Sequence, residues 1–162
     1  MAFKLERGCE SSKTRNKTTR FNKVKDVNAL QPQSSKHIIV QAACYNHPCN
    51  LLIDTGAAIS LVNSNFIKHS NLSHLIKPTN ILIAGVGKDI IPLKGQIRVP
   101  IVIDKQTVTH DFAICDSLDN QFLVGMDLLE KMQAKIDLQN KKLITPRGEV
   151  EFFTKPIEIN KI

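Results

Sequence analysis

The sequence predicts an all-β fold with one short helix near its C-terminal end. The chain is rich in Ile, Leu and Val but only 5 % aromatic, with no Trp, a bias that suits pleated, aliphatic packing. Its apolar runs are short and bounded by Asn, Asp, Pro and Gly, the pattern of strands separated by turns. Convincing helical spacing occurs once, at Met126–Met132, where Leu128, Leu129 and Met132 share a face.

The 162 residues, 42 % of them hydrophobic, suit one folded domain with tails. The formal charge of +7 is unevenly placed. Residues 1–35 carry eight Lys/Arg against three acids, so the basicity belongs to this polar segment, which reads as a disordered linker. Spread cations of this kind give at most a weak, non-specific nucleic-acid contact. The folded domain is expected over 36–148, with 149–162 as a C-terminal extension. No apolar run approaches the length of a membrane span, and Met1–Lys13 shows no secretory h-region. The expected setting is cytoplasmic, with Cys9, Cys44, Cys49 and Cys115 as reduced thiols. The Asn16 and Asn71 glycosylation-like triplets carry no meaning there.

Taken in order, His37–Tyr45 reads as a strand and Asn46–Asn50 as a turn. Leu51–Ile53 pairs back as a hairpin. Asp54-Thr55-Gly56 is a tight loop, Ala58–Val62 resumes as a strand, and Asn63–Lys68 can turn into a short helix. Asn71–Pro78 is a loop. Ile81–Val86 and Ile90–Val99 form a long ribbon around Gly87-Lys88-Asp89, with Pro92 and Gly95 marking an edge or bulge. Ile101–Ile103 and Val108–Cys115 make another hairpin. Gln121–Val124 is a short strand broken by Gly125, and the helix follows. Lys135–Leu138 and Leu143-Ile144 form the last hairpin, ended by Pro146-Arg147-Gly148. A strand at Val150–Phe153 is possible beyond it. Hairpin, apolar strand, glycine and helix-like segment occur twice, which reads as an internal duplication with Asp-Thr-Gly in the first copy where the second has Val-Gly.

Asp54 is the candidate catalytic group. It stands at the end of the apolar run Leu51-Leu52-Ile53, where an unsatisfied charge is costly. Thr55 can hydrogen-bond to fix the loop, and Gly56 lets backbone N–H groups approach the carboxylate. Metal-free water attack on a peptide bond needs an acid and a base together. Two carboxylates sharing a proton meet that need because like charges drive their pKa values apart. No other Asp is followed by Thr/Ser-Gly. A symmetric homodimer, with Asp54 from each chain on the two-fold axis, is the simplest way to complete the site. Cys44, His47 and Cys49 match no zinc spacing, His69 and His74 flank a loop, and Gly85-Val86-Gly87 is too short for a phosphate loop. No metal and no cofactor is expected.

Leu51–Val62, the ribbon ending at Gly87, and Phe122-Leu123-Val124-Gly125-Met126-Asp127-Leu128-Leu129 together resemble the retropepsin-like aspartic proteases, above all those of gypsy-type LTR retrotransposons and retroviruses. The resemblance covers about Lys36 to Pro146. It implies a closed, acid-protease-like barrel with one short C-terminal helix, assembled as a homodimer. It implies that Asp54 is catalytic, that Thr55, Gly56 and Ala57 shape the active-site loop, and that Thr55 hydrogen-bonds across the dimer interface. Val86, Gly87 and Lys88 become the tip of a substrate-covering flap. Two features depart from the best-known members: the flap tip is not a multi-glycine run, and the C-terminal region is longer. The implied activity is aspartic endopeptidase action on a Gag-Pol-type polyprotein. The alternatives are a catalytically weak or inactive dimerisation or binding module on the same fold, and a cellular relative of the ubiquitin-receptor type, although no ubiquitin-like stretch is present. Asp116, Asp119, Asp127 and Asp137 read as structural.

Overall fold

The computed structural model describes residues 36–156. The linker expected at 1–35, with its nucleic-acid contact, lies outside the described residues. The described part is mostly β, as expected. Strand β1 (Lys36–Cys44) and β2 (His47–Ile53) form a hairpin in full register from Ile38↔Ile53 to Cys44↔His47. The turn expected over Asn46–Asn50 is shorter: Tyr45, at φ 52°, and Asn46 make it alone. Pro48 and Asn50 belong to β2, whose far side gains a partner only at Leu51–Ile53, so Pro48 sits where the strand still has a free edge.

β3 (Leu61–Asn63) begins later than expected, because the Ala57 and Ala58 carbonyls are bonded elsewhere. The helix α1 (Ser64–His69) follows, with the Asn63 side chain accepting from the Asn65 amide at 2.7 Å as its N-cap. The short helix expected over Asn63–Lys68 is thus present, and the fold class gains a second short helix beside the C-terminal one. Phe66 and Ile67 are buried, and that apolar pair docks α1 on the sheet. The long ribbon is corrected. β4 (Ile83–Ala84) and β5 (Ile90–Ile91) share only the pairs Ile83↔Ile91 and Ala84↔Ile90. Ile81 and Leu82 are exposed, and Leu82 is 80 % so.

β6 (Leu93–Ile103) runs unbroken through Pro100, where two strands were expected, and its register shifts between Leu93 and Gly95. β7 (Gln106–Cys115), β8 (Phe122–Val124) and helix α2 (Met126–Lys131) follow. β9 (Lys135–Asp137), β10 (Lys142–Thr145) and β11 (Gly148–Glu151) form a small sheet. β12 (Phe153–Pro156) pairs with β1 from Lys36↔Pro156 to Ile39↔Phe153. The main sheet has the order β12-β1-β2-β8-β3-β7-β6, and β1 also pairs with β6 through Ala43↔Val102 and Cys44↔Ile101.

The registers expose the duplication. β2 lies parallel to β8 with Ile53 opposite Val124, and β7 lies parallel to β3 with Cys115 opposite Asn63. β3 and β8 cross antiparallel with Leu61↔Leu123 and Val62↔Phe122, the pattern an approximate two-fold between the copies requires. β2 thus corresponds to β7 and β3 to β8. The residue matching Asp54 is Asp116, which corrects the alignment of Asp-Thr-Gly with Val-Gly.

The core lies where the copies meet. Phe122 packs edge-on against Phe66 and Phe112, both at 5.0 Å between centroids, a favoured aromatic geometry. Val40, Leu51, Val62, Ile97, Ile101 and Leu128 are fully enclosed around it. Each such aliphatic side chain contributes about 1.5–3 kcal/mol by leaving water. This packing makes β2 and β8 a rigid base for the loop that follows β2.

Candidate active site

Leu51, Leu52 and Ile53 are buried between β1 and β8. Asp54 is the first residue beyond this apolar run. Its amide extends the β2–β8 pairing with a 3.0 Å bond to the Val124 carbonyl, so the backbone carrying the carboxylate is held by the centre of the sheet. The chain then turns. The Ala57 amide donates to the Asp54 carbonyl at 3.2 Å, and the Gly56 amide donates to Asp54 Oδ1 at 2.9 Å. A Cβ on Gly56 would stand 3.2 Å from that oxygen, close enough to press on the carboxylate. Thr55 is exposed at the tip and Asp54 is half-buried.

The loop is fastened to the N-terminal end of α2. The Met126 amide donates to the Ala57 carbonyl at 2.8 Å and the Asp127 amide to the Ala58 carbonyl at 3.2 Å, which gives two otherwise orphaned helix N–H groups partners. Gly125 makes the approach possible: a Cβ there would fall 2.7 Å from the Ile59 carbonyl oxygen and 2.8 Å from that of Ala57. Backbone atoms at that distance leave no room for a side chain.

A polar brace closes the loop. Buried Ser60 donates its hydroxyl to Asp127 Oδ1 at 2.6 Å and its amide to Oδ2 at 3.1 Å. The Ser60 hydroxyl accepts from the Gly125 amide at 3.0 Å. Asp127 also takes the Leu128 amide on Oδ1 at 2.7 Å and meets His110 Nε2 through Oδ2 at 2.8 Å. Burial pushes the Asp127 carboxyl up, but the bonds from Ser60, His110 and the backbone outweigh it and hold the group below its ordinary value. Asp127 makes structural contacts, and what they hold is the Asp54 loop. Ser60 and His110 went unnoticed in the sequence. The available signal was polar: a Ser inside the second apolar run, and a His at an inward position of a strand.

The remaining candidates are dispersed. Val86, Gly87 and Lys88 form the β4–β5 turn, closed by the Gly85 amide on the Asp89 carbonyl at 2.9 Å, with Lys88 at φ 65°. Val86 is fully exposed. Cys44 and Cys49 are in the core while His47 is exposed. Burial pushes the Cys44 thiol up to about 11 and that of Cys49 up to about 12, which suits packing and not ligation. Asp116, the counterpart of Asp54, is tied to Lys94 at 2.6 Å and accepts from the Ser64 hydroxyl. The strands thus leave Asp54 as a single carboxylate with one backbone donor.

Comparison with known proteins agrees with this geometry. The sequence profile described as retroviral aspartyl protease matches residues 17–150. The chain is 33 % identical over 94 residues to the retrovirus-related Pol polyprotein from transposon 412 of Drosophila melanogaster, covering 56 % of this chain and 7 % of that protein. It is 32 % identical over 105 residues to the protein DNA-damage inducible 1 of Arabidopsis thaliana, covering 64 % of this chain and 25 % of that one. The chain therefore spans a quarter or less of the length of these relatives. In fold it is similar to the retroviral protease-like domain of Ddi1 from Leishmania major, with a TM-score of 0.62 at 19 % identity, over 74 % of this chain and 92 % of that one. On this match, which takes in most of the chain and the whole of the Asp54 loop, the protein belongs to the retroviral aspartyl protease family.

Proposed function

We propose that the chain is an aspartic endopeptidase whose active site is completed by a second copy of itself. The observation that carries this reading is the placement of Asp54. It is a single carboxylate at the end of a buried strand, on a loop pinned by backbone and side-chain bonds, in a chain with no second motif of the kind. In the homodimer one Asp54 is protonated and its partner ionised. The ionised carboxylate takes a proton from a bound water, which attacks the scissile carbonyl, and the protonated one donates to the carbonyl oxygen. Thr55 fixes the paired loops across the interface. The turn at Val86-Gly87-Lys88 closes over an extended peptide held by main-chain bonds and excludes water.

The substrate class is an extended polypeptide, with the polyprotein that encodes the chain as the first candidate. The likeness to a transposon Pol polyprotein supports this. Near-equal identity to a DNA-damage inducible 1 protein favours a second reading, in which the same chemistry serves a cellular protein. Cleavage of a peptide library by the wild-type chain and by Asp54→Asn tests the enzyme itself. Cleavage by the wild type alone supports it. Equal cleavage by both forms, or none by either while both dimerise, overturns it.

A further inference from the structure

At the end of α2 remote from the Asp54 loop lies a cleft of about 520 Å³. It is bounded by the β6–β7 turn, the C-terminal end of α2 and the β10–β11 turn. Its floor is apolar, with buried Ile103 and half-buried Val108 and Met132. Among the described residues its rim carries three cations, Arg98, Lys131 and Arg147, and no lining residue is Asp or Glu. Residues 36–156 otherwise hold nearly balanced numbers of cations and acids, so this concentration is local.

Two of the three cations are held by side-chain bonds. Lys131 Nζ donates to the Thr109 carbonyl at 2.5 Å, bridging α2 and β7. Arg98 is oriented by Asp111 at 2.9 Å on the exposed face of the hairpin, which neutralises part of its charge. At Arg147 it is the backbone that is fixed, its amide donating to the Thr145 hydroxyl at 3.2 Å, while the residue itself is exposed. Among the described residues neither Lys131 nor Arg147 has a carboxylate partner. Side chains fixed before binding lose little freedom on binding, and a guanidinium fork accepts a carboxylate through two parallel bonds.

We infer that this cleft is a docking site for an acidic peptide segment of a partner protein, with its carboxylates on Arg147 and Lys131 and an apolar side chain on the Ile103–Val108–Met132 floor. Charge complementarity selects this occupant. The chain's own residues 1–35 are strongly basic and would be repelled. An apolar floor recessed below the cations suits a peptide side chain better than a nucleic-acid backbone, which offers phosphates alone.

The test uses the full chain carrying Asp54→Asn, so that no peptide is cut, and a fluorescein-labelled peptide of alternating Glu and Leu. A matched Lys-Leu peptide and a single-stranded DNA of similar length serve as competitors. The expected result is saturable binding of the Glu peptide that weakens with salt and falls about tenfold or more in Lys131→Glu/Arg147→Glu. Binding through the basic segment at 1–35 would survive that reversal, so an unchanged affinity overturns the inference, as does no binding at all. DNA that competes and is lost with the same variant also overturns it. If the double variant unfolds, methyl resonances of the otherwise unaltered chain decide: shifts at Ile103, Val108 and Met132 support the site, and shifts confined elsewhere contradict it.

Discussion

Ser60 and Asp127 are joined twice, by the Ser60 hydroxyl on Oδ1 at 2.6 Å and by its amide on Oδ2 at 3.1 Å, across 67 residues of sequence. This pair locks the end of the Asp54 loop to the start of α2. Replacing Asp127 by Ala leaves the Ser60 amide and hydroxyl, the Leu128 amide and His110 without their acceptor. Removing a partner from such a partly buried network costs about 2–4 kcal/mol. Urea unfolding of Asp127→Ala should show that loss. Asp127→Asn, which keeps one acceptor oxygen, should lose less.

Gly56 in the loop and Gly125 at the start of α2 act differently. Gly125→Ala sets a methyl against two backbone carbonyls, and overpacking of this kind costs about 1–3 kcal/mol. Gly56→Ala meets only the Asp54 carboxylate, at 3.2 Å, on an exposed turn. It should change the melting temperature little yet lower kcat about 100-fold through misplaced carboxylates. Thermal unfolding together with peptide-cleavage kinetics on both variants checks the contrast.

The aromatic trio sets the stability of the sheet beneath the site. Phe122 is fully buried between Phe66 and Phe112. Phe122→Ala should destabilise by about 3–5 kcal/mol, while Phe122→Leu should retain most of that. Denaturant midpoints at constant slope provide the measurement.

Two pH limits follow from separate groups. Asp127 is held below its ordinary value of 3.8 in the fold. A depressed carboxylate contributes its stability above the unfolded value and loses it as pH falls through the folded one. The brace should therefore be intact from neutral pH to about pH 4 and weaken below that, a component absent in Asp127→Asn. The proposed homodimer, in which the two Asp54 carboxylates share a proton, gives the other limit. Cleavage should be best in mild acid and fall on the alkaline side, and a profile flat to about pH 9 would contradict a shared proton.

Local features were legible in the sequence, and distant pairings were not. Asp54-Thr55-Gly56 after three apolar residues and Gly125-Met126-Asp127 before a helical face are contiguous signals, each fixed by neighbours in the chain. The brace joining Ser60, His110 and Asp127 draws on three elements, and no spacing rule links them. The pairing of Lys36 with Pro156 is equally non-local, so β12 is not legible in the sequence, and the possible strand at Val150–Phe153 instead straddles the end of β11 and the first residue of β12. The ribbon was overdrawn because Ile81 and Leu82 have strand-forming letters but lie exposed and outside the ladder. The duplication was visible as a rhythm. Its alignment needed the register, which sets Asp54 against Asp116.

The dimer claim can be tested by mixing subunits. Wild-type chain and Asp54→Asn chain are unfolded together, refolded at varied ratio and constant total concentration, and assayed for peptide cleavage. If each site needs Asp54 from both protomers, activity follows the square of the wild-type fraction, so an equal mixture retains about one quarter. A linear decline, with about one half retained in the equal mixture, would mean that each chain acts alone, and about three quarters retained would mean that one Asp54 per shared site suffices; either would contradict the account.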